Sequence, residues 1–169
     1  IIEIKIGFDG IALANSREAG QMSITIPQLW EALAAEVPDA SGNLVANPNK
    51  NWSDIDPSLP NYAIRVMGPP PTSGTRDAFV ELVMDGGCKT FEPVAALKES
   101  DEDKYEEVCQ SIREDGAFIE AGENDNLIVQ KIEANPNALG IFGFSFLEEN
   151  QDKLRGTRID GVEPTYETV

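Results

Sequence analysis

The sequence runs to 169 residues and 18.4 kDa, the size of one domain, and its 41% hydrophobic and 25% charged content excludes wholesale disorder. Thirty acidic against thirteen basic residues give a net charge of −17. This argues against a nucleic-acid or anionic-membrane surface as partner but not against a small anion, whose site answers to local donors within about 8–10 Å. Histidine is absent, which excludes Ser-His-Asp and Cys-His nucleophile pairs and every His-ligated metal site. No apolar run is long enough to span a bilayer as a helix.

Ile2, Ile4 and Ile6 alternate with Glu3 and Lys5, the period-two pattern of a half-buried strand. Residues 7–10 interrupt it and 11–14 resume it, as a bent strand or a tight hairpin. Residues 21–25 read as a short edge strand. Pro27 suits a first helical position, and Leu29, Trp30, Leu33, Ala34 and Val37 form a helical stripe ended by Pro38. Residues 39–61, rich in Asn, Pro, Ser and Asp, read as a long loop anchored by Trp52, Ile55 and Leu59.

A strand is expected over 62–67, a loop over 68–74, and a helix over 75–84 with Ala78, Phe79, Leu82 and Val83 inward. Two helices follow, over 91–97 and 101–113, the second with acidic residues in its first turn as the helix dipole favours. A short strand over 116–119 and a helix over 123–134 come next, the helix carrying Leu127, Ile128 and Ile132 on one face. A buried strand over 138–144, a helical turn over 146–150 and a last strand over 158–162 complete the chain. Strands alternating with helices imply a three-layer α/β domain. The chain opens on a strand pattern without Met and closes on Tyr166-Glu167-Thr168-Val169 without a terminal helix. It reads as a piece of a longer protein, so the missing signal peptide says nothing about compartment.

The strongest local signal is the joint Thr72-Ser73-Gly74-Thr75-Arg76-Asp77 between strand and helix. A helix start carries unpartnered N–H groups and about half a positive charge. Gly74 admits close approach to the backbone, Ser73 and Thr75 add hydroxyls, and Arg76 adds a forked cation that Asp77 can orient. Asp77 can also accept a proton from a protonated oxyanion. Together they describe a cradle for a tetrahedral or carboxylate anion; the plainer reading is an ordinary N-cap. The spacing is not that of a Walker loop, and no base accompanies Ser73 as a nucleophile. Asp54 and Asp56, and the run Glu123-Asn124-Asp125-Asn126, miss the spacing of a calcium loop and read as turn and cap residues. The Asp101-Glu102-Asp103 run reads as a solvated helix start, and Trp30 and Trp52 as packing residues. Cys88 and Cys109 are too few for a zinc site without histidine; they are either two buried thiols or one disulfide. No metal and no cofactor is expected.

The run from Ile64 to Phe79, IRVMGPPPTSGTRDAF, resembles the phosphate-binding segment of the PstS-type substrate-binding proteins of phosphate ABC transporters. IGFDGIALA (6–14), WSDIDPSLP (52–60), REDG (113–116), ENDN (123–126) and GIFGFS (140–145) resemble further segments of that family, in family order. The resemblance implies a type II periplasmic-binding-protein fold, two α/β lobes closing on one phosphate. The whole of 1–169 would then be the second lobe, a three-layer mixed-sheet domain with hinge-strand segments near 1–14 and 158–169. It also implies that Ser73, Gly74 and Thr75 hold phosphate oxygens. The arginine of the site would be Arg76 or Arg65, with Arg76 favoured because Pro69 to Pro71 displace Arg65. By the same resemblance the protein is a monomeric, non-enzymatic, exported component, in the periplasm or at the extracytoplasmic face. It would deliver inorganic phosphate to ABC permease subunits, and an oxidising compartment would pair Cys88 with Cys109. The other readings are a binding or sensor protein for another oxyanion, and a carboxylate hydrolase built on Asp9, Asp77 or Asp125.

Overall fold

A computed structural model describes residues 10–122 and 124–168. The first expected strand, with Ile2, Ile4 and Ile6, lies outside them, as do Asp9 and Glu123. The chain forms a five-stranded mixed sheet between two helical layers, with the strand order β6-β5-β7-β1-β8. Its strands are β1 (Ile11–Ser16), β5 (Val66–Gly68), β6 (Phe118–Glu120), β7 (Leu139–Gly143) and β8 (Leu154–Gly156). β5 pairs in parallel with both β6 and β7, whereas β1 runs antiparallel to β7 and β8.

Side-chain alternation along the sheet divides the core in two. Leu13, Val66, Leu139 and Ile141 face one layer, which holds α1 (Ile26–Leu33) and the helices that follow β5. Ala12, Ala14, Met67 and Phe142 face the other, which holds α8 (Asp125–Ala134) and α9 (Phe144–Glu149). Trp30 and Trp52 are fully buried in the first layer.

Several expected elements are cut differently by local hydrogen bonding. α1 starts at a capping box, in which the Thr25 hydroxyl accepts from Gln28 N–H and the Gln28 carboxamide accepts from Thr25 N–H. It ends at Leu33, before the expected Pro38, because the Asn47 carboxamide donates to the last carbonyls at Glu31 and Ala34. Val37 therefore lies on a strand, β3 (Glu36–Pro38), paired antiparallel with β4 (Leu44–Ala46) across a turn where Asp39 accepts from Ser41 and Asn43. The expected loop over 39–61 thus holds β4 and a short helix, α2 (Trp52–Ile55). Asp54 accepts from the N–H of Lys50 and Asn51, and Asp56 from that of Ser58, which holds both carboxyls below their usual range.

The helix after β5 runs on to residue 88. It comprises α3 (Gly74–Phe79), a π-helical stretch at Val80–Met84, and α4 (Asp85–Cys88). Asp85 N–H reaches back to Val80 C=O, the five-residue step of a π turn. The step rotates the following side chains, so Leu82, expected inward, is 59% exposed while Val83 and Met84 are buried. The next helical stretch is divided into α5 (Glu92–Ala95) and α6 (Leu97–Ser100), and α7 (Glu102–Gln110) begins at the N-cap Asp101 and stops short of Arg113. A disulfide joins Cys88 to Cys109 on α7, with Cα atoms 5.3 Å apart. Leu127 is exposed on α8, where Ile128, Val129 and Ile132 face the core. Near the end, β8 was not expected from the sequence. β9 (Arg158–Ile159) pairs in parallel with β2 (Ser23–Ile24) and turns at Asp160, which adopts a positive φ of 50°.

Gly68 closes β5 where the Phe118 ring crosses it. A Cβ there would lie 2.7 Å from the ring of Phe118 and 3.1 Å from Ile141. Gly68→Ala should therefore cost about 1–3 kcal/mol by overpacking, read as a lower urea midpoint at unchanged slope.

Candidate functional site: a helix start at the carboxyl edge of the sheet

β5, β6 and β7 point the same way, and each is followed by a helix: α3, α8 and α9. α3 leaves toward one face of the sheet, and α8 and α9 toward the other. Adjacent parallel strands whose helices depart to opposite faces leave a crevice at their carboxyl ends, the usual ligand position in α/β sheets. The loop 69–73 lies on that edge, immediately after β5.

The loop is shaped by its three prolines and by three backbone bonds. Ser73 N–H donates to Pro70 C=O at 3.0 Å, and Ser73 C=O accepts from Arg76 and Asp77 N–H at 3.0 and 3.1 Å. Ser73 is the N-cap in extended conformation, yet its hydroxyl makes no capping bond. Among the described residues, no acceptor is bonded to the N–H of Gly74 or Thr75. The helix starts at Thr25, Asp101 and Asn124 differ, since each has a side chain accepting from its first turn. Gly74 is exposed, and a Cβ built on it meets nothing within 4 Å, so the backbone there is open to a ligand. This edge therefore offers two main-chain donors and the hydroxyls of Ser73 and Thr75.

The candidate charged groups are distributed unevenly. The half-buried Arg76 guanidinium lies 4.4 Å above the centre of the Phe118 ring and 3.4 Å from Pro69 C=O. Burial pulls it below the usual arginine range, and the nearby Glu120 carboxylate partly offsets that. Arg76, Pro71, Phe118 and Glu120 line a cavity of about 750 Å³ beside β6. Asp77 is exposed on the first turn, and among the described residues it is not ion-paired with Arg76. Arg65 stands before β5, at the amino end of the strand. It lines a separate cavity of about 220 Å³ with Lys50, Asn51, Arg113 and Asp115. Ser73, Gly74, Thr75 and Arg76 thus gather at one edge of the sheet, and Arg65 stands at the other. Asp125, at the start of α8, has its carboxyl raised by burial. Phe118 and Glu120, which seat Arg76, were not singled out from the sequence. Their only signal there is the strand pattern over 116–119, one residue short of Glu120.

Arg113 lies among the cations near both cavities, but its donors are committed. It is 5% exposed, forms a two-pronged pair with Asp115, and donates to the carbonyls of Ala32, Asn47 and Asn49. The pairing holds the Asp115 carboxyl below its usual range.

A sequence profile of the PBP superfamily domain matches residues 1–169. A protein named phosphate-binding protein PstS from Staphylococcus haemolyticus is 31% identical over 173 residues, and one of the same name from Staphylococcus saprophyticus is 27% identical. Each alignment takes in 99% of this chain and 42% of the relative, so the chain spans less than half the length of these curated relatives. Among solved structures, PstS from Borrelia burgdorferi superposes with a TM-score of 0.64 at 19% identity, covering 95% of this chain and 51% of that one. A phosphate transport receptor of the ABC type from Vibrio cholerae gives 0.59 at 15% identity, covering 95% and 50%. At such identities these likenesses establish the fold.

The committed donors of Arg113 and the exposure of Arg65 separate two otherwise similar residues. Arg113→Met should cost about 1–3 kcal/mol of folding stability by leaving three carbonyls without their donor, Asp115 being half exposed and able to turn to water. Arg65→Ala should change it by less than about 0.5 kcal/mol, both read by urea unfolding.

Proposed function

This chain belongs to the PBP superfamily, and from that membership we propose that it is a lobe of a substrate-binding component that captures inorganic phosphate for an ABC importer. The observation that carries the reading is the start of α3. Two main-chain N–H groups and two hydroxyls stand open at the carboxyl edge of the sheet, with an arginine on the same turn. Tetrahedral oxyanions are held by such donor sets, because the helix dipole and the fixed N–H directions need no rearrangement on binding. The names of the relatives point to phosphate among the oxyanions.

In this reading Ser73, Gly74 and Thr75 each donate to a phosphate oxygen, and Arg76 supplies the compensating cation. Arg76 is already partly desolvated against Phe118, so a new charge partner gains more there than it would in water. Asp77, which among the described residues is not ion-paired with Arg76, accepts the proton of a monoprotonated phosphate. Arg65, at the other end of β5, is not a ligand. Capture without turnover is consistent with the absence of histidine and with the separation of Asp77, on α3, from Asp125, on α8. Working place and partners follow from the same reading: the extracytoplasmic side of the membrane, ABC permease subunits, and a monomeric binding protein. The remaining donors, and any further proton acceptor besides Asp77, belong to a second lobe beyond this chain.

Calorimetry of the intact protein with phosphate, sulfate and molybdate tests the assignment. Arg76→Ala should weaken phosphate binding by about 2–4 kcal/mol, because a charge-assisted pair is lost from a closed cleft. Arg65→Ala should cost much less; the reverse order would move the cation site to Arg65. Binding of another oxyanion in preference to phosphate would replace the ligand while keeping the cradle.

The 169-residue chain alone should fold and bind phosphate only at millimolar concentration or above. With one face of the anion in water, each hydrogen bond contributes about 0.5–1.5 kcal/mol net. Micromolar binding in an equilibrium dialysis experiment would show that this lobe carries a complete site.

A further inference from the structure

A second cluster lies at the far end of the long helix from the anion loop. Cys88 ends α4 and Cys109 sits on α7, both fully buried. Asp85, three residues before Cys88, brings a carboxylate to the same place. One of its oxygens and the two Sγ atoms all lie within 4.8 Å of one another. Ligands about 2.0–2.3 Å from a shared tetrahedral cation stand roughly 3.5–3.8 Å apart, so the carboxylate oxygen needs to close by about 1 Å at most, while the two sulfurs, bonded to each other in the disulfide, part to that spacing once the bond is broken.

The surroundings also suit a cation. Asp85 lines a cavity of about 340 Å³ with Glu102, Glu106, Tyr105, Lys89 and Lys98. This cavity brings a hydrated ion to Asp85 and Tyr105, the two groups that stand beside the buried sulfurs. Three carboxylates outnumber two ammonium groups along it, in a chain of net charge −17 that favours cation approach. The Tyr105 hydroxyl stands 3.8 Å from Cys88 Sγ, placed to donate to a thiolate and orient it. Two cysteines without histidine fall short of a zinc site, and nothing in the spacing of Asp85 counts it with them. The fold supplies that third ligand.

We propose that reduction of the Cys88–Cys109 disulfide turns this cluster into a metal site, in which both thiolates and the Asp85 carboxylate hold a thiophilic divalent cation of the zinc type and a water from the cavity takes the fourth position. A dithiol reductant supplies two electrons and two protons and leaves as its own disulfide, and the S–S bond becomes two thiols. The cation then displaces both thiol protons to water. In the oxidised protein the sulfurs are neutral and already bonded to each other, so the site exists only after reduction. The cluster is separate from the α3 start, and the inference does not depend on phosphate binding.

The test uses the intact protein, reduced with dithiothreitol, desalted under argon and titrated with Cd²⁺. The expected result is an ultraviolet thiolate-to-cadmium charge-transfer band that saturates at one ion per chain, with two protons released per ion. The oxidised protein should show no band. Asp85→Asn should weaken the affinity about tenfold or more. If reduction alone loosens the fold, the cation should restore the near-ultraviolet circular dichroism, since binding then drives folding. Absence of the band, unchanged affinity in Asp85→Asn, one ion shared by two chains, or failure of the cation to restore a loosened fold would each overturn the proposal.

Discussion

β5 is three residues long, yet it hydrogen-bonds to a parallel partner on each side, and a parallel pair cannot be joined by a tight turn. The chain must cross over a sheet face to reach β6, and cross again to reach β7. Right-handed crossovers in opposite directions place their helices on opposite faces. The two helical layers, the two cores and the crevice at the carboxyl edge all follow from this one pairing. So does the position of the 69–73 loop, which leaves the middle of the three parallel strands. The close crossing of Phe118 over Gly68 keeps β5 and β6 in register and at the same time provides the aromatic face on which Arg76 rests.

Basic residues are scarce in this chain, and the structure uses them for different purposes. Arg113 is structural: buried and fully bonded, it ties the end of α1, the segment after β4 and the turn before β6 into one unit. Its charge is compensated by Asp115 and has no capacity left for a ligand. Arg76 is the opposite case. Among the described residues it is partly desolvated, hydrogen-bonded only to the Pro69 carbonyl at 3.4 Å, and stacked on a ring whose face attracts cations without neutralising them. A cation held in this way keeps its charge beside the adjacent helix start.

The long helix from Gly74 to Cys88 connects two chemically different ends. Its start presents open donors, and its end is fixed through the disulfide to α7. The π turn between them lets one helix meet two requirements. It shifts the side-chain register so that Val83 and Met84 enter the core, leaving Leu82 outside. The cross-link closes a loop of 21 residues and stabilises by roughly 3 kcal/mol, chiefly by restricting the unfolded chain. It anchors the helix at the end away from the 69–73 loop.

By itself the sequence determined the α/β class, the strand-loop-helix joint at Ser73 to Arg76, and the packing roles of Trp30 and Trp52. These are local matters: alternation and helical periodicity are written into neighbouring residues, and Ser, Gly and Thr at a helix start have the same meaning in any context. Tertiary structure decided the rest. Asn47 ends α1 from sixteen residues away in the chain, so Val37 falls on a strand although its spacing fits the helical stripe. Leu82 faces water because a π turn, which has no periodic signature, intervenes. Arg65 and Arg76 were both candidates in the sequence, with Arg76 favoured, and only the path of β5 between them sets them at opposite edges of the sheet. Phe118 and Glu120 meet Arg76 only because β6 pairs with β5. Asp85 joins the two sulfurs only because α7 folds back along α4. In each case the decisive partner is distant in the chain, and its identity is fixed by which surfaces must be buried together.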